Sequence, residues 1–133
     1  MSDGNPGAHL SAEVIDGTFA LAREGRTGPL AEMIDAGVPV NTRNARGDTL
    51  LIVATYAEHR ETVADLLRRG ADVNVVNQAG QTAIACAVFR RDADTLRALL
   101  GAGGDPDLSV PTAAQIADQF GMPEMKTVLD EAR

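Results

Sequence analysis

Four places along the chain carry residue types that could do chemistry. The first is Glu58-His59-Arg60-Glu61, where a histidine between carboxylates could serve acid–base catalysis or hold a metal. A zinc hydrolase needs two histidines four apart on one helix face, and the other histidine, His9, lies far off in the first ten residues. The tetrad is therefore read as a solvated turn. The second is Cys86. A reactive thiol needs an electropositive, accessible site, whereas Cys86 sits in the run "AIACA" and reads as a small core residue. The third is "GAGGDPD" at positions 101–107, glycine-rich with two carboxylates. It lacks the lysine of a phosphate loop and the ligand spacing of a calcium loop, so it reads as a helix stop and turn. The fourth is Tyr56 and Phe89 beside Arg46 and Arg90. Aromatic and arginine side chains are the usual anchors of protein interfaces. The bland alternative is that the rings only fill the gap between neighbouring helices.

No Ser/His/Asp set is visible, so no catalytic residue, metal ligand or cofactor site is assigned and the chain is read as a non-enzyme. Composition narrows the classes further. The 133 residues suit a single domain, and 44% hydrophobic with 23% charged residues is ordinary for a globular protein. The net charge of −7 argues against nucleic acid and against an anionic membrane surface. The lone cysteine leaves no intramolecular disulfide and fits a reducing cytoplasm. The opening "MSDGNPGAHLSAEV" has neither the basic start nor the apolar centre of a secretory signal. Arginine outnumbers lysine 11 to 1, a bias of the kind GC-rich bacterial genomes produce.

The elements that must position these residues repeat. Gly47-Asp48-Thr49 precedes "LLIVATY", and Gly80-Gln81-Thr82 precedes "AIACAVF", 33 residues later. Leu66-Leu67 and Leu99-Leu100 keep the same offset, as do Gly37, Gly70 and Gly103. A fixed period across glycine, threonine and paired apolar residues is the signature of a stacked repeat. Thr49 and Thr82 are expected to cap a short first helix. Val63, Leu66 and Leu67, then Leu96, Leu99 and Leu100, give a second helix its i, i+3, i+4 stripe. Gly70 and Gly103 sit where a left-handed residue ends that helix.

This unit resembles the ankyrin repeat. The family's G-x-T-P-L-H-x-A stands here as "GDTLLIVA" and "GQTAIACA", and its G-A-D-V-N is identical at positions 70–74. The resemblance covers about residues 13 to 131. It implies an all-α solenoid of about four helix pairs with short β-turn fingers. The family's proline is replaced by Leu50 and Ala83, its histidine by Ile52 and Ala85, and its inter-helix glycine by Glu58 and Arg91. The missing histidine puts the rigidity of the fingers in question, and the missing glycine the shape of the turns.

The expected layout is a disordered tail at 1–10 and one repeat domain at 11–133. Within it, 11–44 is an N-terminal cap, 45–77 and 78–110 are internal repeats, and 111–133 is a C-terminal cap. Thr82 and Thr112 are only 30 apart, and Pro106 and Pro111 lie between them, so the third finger is expected to be a truncated loop. The resemblance implies a protein partner held on a concave face of finger tips and inner helices. The repeat projects Arg23, Arg43, Arg46, Asp48, Tyr56, Val76, Gln78, Gln81, Phe89 and Arg90 onto that face. Acidic residues such as Glu32, Asp35, Glu61, Asp65 and Asp94 fall on the outer helices. The concave face is thus expected to be locally basic and its partner face acidic. The chain is expected to be a cytoplasmic monomer with no membrane contact. The alternative is a small-molecule binder or enzyme using the groove or the 101–107 loop.

Overall fold

The computed structural model describes residues 11–132, so the expected disordered tail at 1–10 lies outside the described residues. Among these residues the chain forms eight helices in four pairs: α1 Ala12–Glu24 with α2 Thr27–Asp35, α3 Leu50–Tyr56 with α4 Arg60–Arg68, α5 Ala83–Phe89 with α6 Ala93–Gly101, and α7 Ala113–Gln119 with α8 Pro123–Glu131. Inner helices α1, α3, α5 and α7 each pack on the next inner helix, and outer helices α2, α4, α6 and α8 do the same. The chain is an all-α repeat solenoid.

Each inner helix begins where a hydroxyl caps it. Ser11, Thr49, Thr82 and Thr112 accept from the N–H three residues on, and Thr112 closes a reciprocal capping box with Gln115. These helices are too short to stand alone. They are held by burial: Leu50, Leu51 and Ala54 in α3 and Ile84, Ala87 and Val88 in α5 are at most 1% exposed. Leu66 and Leu99 are fully buried beneath the outer helices. Gly70 and Gly103 take φ of 88° and 95°, past the ends of α4 and α6.

The turn inside each pair needs a left-handed residue. The two end pairs supply glycine there, Gly25 at φ 71° and Gly121 at φ 64°. The two central pairs hold Glu58 at φ 65° and Arg91 at φ 60° in the same conformation. The turn shape is therefore kept, and the backbone cost of a side chain at this position is borne by the stack.

The fingers, without the family histidine, are held by asparagine. Asn77 Oδ1 accepts from the N–H groups of Ala79 and Gln81, while its Nδ2 donates to Asp48 Oδ1 and Gln81 Oε1. Asn44 Oδ1 accepts from Arg46 and Asp48 in the finger before it. Adjacent fingers are joined by the Gln78 N–H donating to the Arg46 carbonyl at 3.0 Å. Further back, Asn41 and Asn74 repeat one bond at the same offset, accepting from the N–H of Asp72 and of Asp105 at 2.8 Å each.

The third finger is short, and the Val110 N–H donates to the Gly80 carbonyl at 2.9 Å. Gly104, before this finger, has no room for a side chain. A Cβ there would meet the Ile84 side chain and lie 2.9 Å from the Leu99 carbonyl oxygen. In the 101–107 loop, Asp105 Oδ1 accepts from the Asp107 N–H, as a turn carboxylate does.

Candidate functional site: the concave face

Tyr56 and Phe89 are the last residues of α3 and α5, one repeat apart. Their rings stack at 6.2 Å between centroids with planes 10° apart. Phe120, just past α7, extends the row edge-on to Phe89 at 5.7 Å and 84°. The three rings remain 48%, 44% and 45% exposed. Arg90 lies over the Tyr56 ring at 5.1 Å and pairs with Glu58 at 2.6 Å.

Two hollows flank this ladder and share Tyr56, Gln81 and Cys86 as a common ridge and floor. One, of about 370 Å³, is walled by Phe89, Phe120, Val110, Pro111 and Ile116. The other, of about 630 Å³, is lined by Arg23, Arg46, Asp48, Tyr56 and Arg90 among others. Gln78 joins Arg46, Asp48 and Gln81 in a shallower hollow between the fingers. Eight of the ten residues projected from the repeat thus line one of these hollows.

Two do not, Arg43 and Val76. The Arg43 side chain donates to the carbonyls of Gly47 and Val76, clamping one finger to the next. It is a strut between fingers, where a cation offered to a partner was expected. Arg90 is offset by Glu58, and the Asp48 carboxylate accepts the Asn77 amide. The basic character expected of this face therefore narrows to Arg23 and Arg46, whose side chains are exposed and make no hydrogen bond or ion pair among the described residues.

Phe120, Val110 and Pro111 were missed by projection. The 30-residue offset of the last unit sets Gln119 opposite Phe89 and Phe120 opposite Arg90, so register alone does not select the third ring. The two bends beside it come from the truncated finger, which has no counterpart in the other units.

The residues that could have done chemistry are placed differently. His59 is half-buried and not a solvated turn residue: its Nε2 lies 2.8 Å from the Arg23 carbonyl, and its ring fills the space a side chain at Gly25 would take. Cys86 is 3% exposed. Burial, with a smaller push from the Asp48 carboxylate, raises its thiol to about 12, so it stays protonated and un-nucleophilic at neutral pH. No group of three or more metal-ligating side chains occurs among the described residues, and none of their helices is long and apolar enough to cross a membrane.

A family model for ankyrin repeats, in three copies, matches residues 19–110. The chain belongs to the ankyrin-repeat family. The matched region runs from α1 through α6 and the third finger, so the closing pair α7–α8 lies beyond it. A Pseudomonas aeruginosa protein named for its ankyrin repeats is 41% identical over 51 residues, which is 38% of this chain and 30% of that protein. Ankyrin repeats generally serve as protein–protein interaction modules.

Proposed function

We propose that this chain is a non-enzymatic interaction module of the cytoplasm that binds one partner protein across its concave face and is itself monomeric. The observation that carries this reading is the aromatic ladder. Tyr56, Phe89 and Phe120 run across three helix pairs with nearly half of each ring in water. Scattered exposed apolar residues are normal, whereas a contiguous apolar row beside a hollow is the usual mark of a binding surface. The asparagine-braced fingers hold the hollow in shape before a partner arrives, which lowers the ordering cost of binding. The size of the apolar hollow alone favours the alternative of a small-molecule ligand. Against an enzyme stand the protonated Cys86 and the engaged His59.

The test is affinity capture of the partner from native lysate, then calorimetry with the purified pair. Tyr56→Ala and Phe89→Ala should each weaken binding by about 1–2 kcal/mol or more, as anchors do. Thermal melts of the same variants show whether the fold is kept. Variants that melt early yet bind normally would make the rings spacers in the stack and move the binding face elsewhere.

A further inference from the structure

The partner's chemistry follows from how charge is distributed over the two hollows, granted that the concave face is the binding face. Among the described residues no charged side chain lines the hollow between Phe89 and Phe120. A charge placed there would lose its water and find no counter-ion. The adjoining hollow holds three arginines and one carboxylate. Arg90 is matched by Glu58, and Asp48 is occupied by Asn77. Among the described residues that leaves Arg23 and Arg46 without a carboxylate, on a chain whose net charge is −7. The outer helices have carboxylates to spare, and Arg60, Arg68, Arg69 and Arg97 each meet one there.

We infer that the concave face takes a peptide segment of its partner in which a large apolar side chain stands close to one or more carboxylates. The apolar side chain enters the Phe89–Phe120 hollow. The carboxylates reach Arg23 and Arg46, whose planar forks suit bidentate pairing. The acidic body does not forbid this, because the Debye length of about 8 Å at physiological salt screens the more distant charge. A peptide is the occupant because the two hollows run from Arg23 at the end of α1 to Phe120 past α7, crossing all four helix pairs.

The experiment is selection of a random twelve-residue peptide display library on the immobilised full chain. Enriched peptides are resynthesised and measured by fluorescence polarisation. The expected peptides pair Leu, Ile, Phe or Trp with nearby Asp or Glu. Changing those acids to amides should weaken binding about tenfold or more, and so should Arg46→Glu. Phe120→Ala should weaken the same peptides. If that variant melts early, Arg46→Glu and Arg23→Glu carry the test, since both side chains are exposed. Enriched peptides that are basic, or that bind equally well as amides, overturn the inference while leaving a protein-binding concave face intact. Peptides indifferent to changes at Tyr56, Phe89, Phe120 and Arg46, or an empty selection, overturn both. Competition by free hydrocinnamate as effective as that of the peptide would assign the site to a small acid and overturn the inference.

Discussion

The two long faces of the stack treat the same residue type in opposite ways. On the outer face arginine is spent within the molecule. Arg69 reaches Asp65 at 2.8 Å and Asp35 at 2.7 Å, tying α4 to α2. Arg60 reaches Asp92 at 2.9 Å and Asp94 at 3.0 Å, tying α4 to α6. On the concave face Arg23 and Arg46 have no such partners among the described residues, and three aromatic rings stand half in water beside them. Exposed ion pairs add little stability, about 0–1 kcal/mol each. Their effect is to match Arg60, Arg68, Arg69 and Arg97 within the molecule. The inner face is complete in its backbone, through Asn44, Asn77 and Arg43, but not in its side chains. The same repeat thus builds one face matched within the molecule and one that we propose for a partner.

The comparison can be strained from the core outward. Leu66→Ala and Leu99→Ala empty fully buried positions between inner and outer layers. Each should cost about 2–5 kcal/mol in chemical denaturation. A cost well under 1 kcal/mol would mean that the two layers are not coupled as described.

Among the described residues Asp92 is the one buried member of the outer-face ion pairs, at 3% exposure. Its carboxylate accepts from the Thr95 N–H and hydroxyl, capping α6, and meets Arg60. Burial alone would raise its pKa, but the bonds from Thr95 and Arg60 outweigh it and hold the group below its ordinary 3.8. Asp92→Ala should cost about 1–3 kcal/mol, from a lost cap and a stranded hydroxyl. With the folded-state value depressed, the charge contributes stability that is fully present above about pH 4. That stability is lost as pH falls through the lower folded-state pKa. Melts of Asp92→Asn, which can still cap, should therefore change less with pH below about pH 4 than those of the parent chain. Equal slopes would remove the charge from the account.

The smallest effect expected is a gain. Arg91 holds φ 60° where the end pairs have glycine, so Arg91→Gly should raise stability by about 1 kcal/mol or less. A loss would mean that its bond to the Phe120 carbonyl, at 3.2 Å, outweighs the backbone relief.

Much of the fold was legible because each signal is local. Thr49 caps the N–H three residues on, Gly70 ends the helix it follows, and Leu66 faces inward by helical period alone. The ring pair was legible for the same reason, one position seen twice. What escaped depends on reach between units. Arg43 looks like a surface cation until the next finger's carbonyl lies 2.7 Å away. His59 looks solvated until the Arg23 carbonyl of the previous pair is brought beside it. Phe120 escaped because it stands at the position of Arg90, one residue past the shared position of Tyr56 and Phe89.

The most direct test of the concave face uses the chain's own rings. It has one tyrosine and three phenylalanines, and the remaining one, Phe19, is 2% exposed within α1. Ring carbon–proton NMR signals can be followed while the captured partner, or a selected peptide, is titrated in. The account predicts that Tyr56, Phe89 and Phe120 shift together and saturably while Phe19 stays in place. Shifts confined to amides of α4 and α6, with the three exposed rings unmoved, would place the partner on the outer face and contradict it.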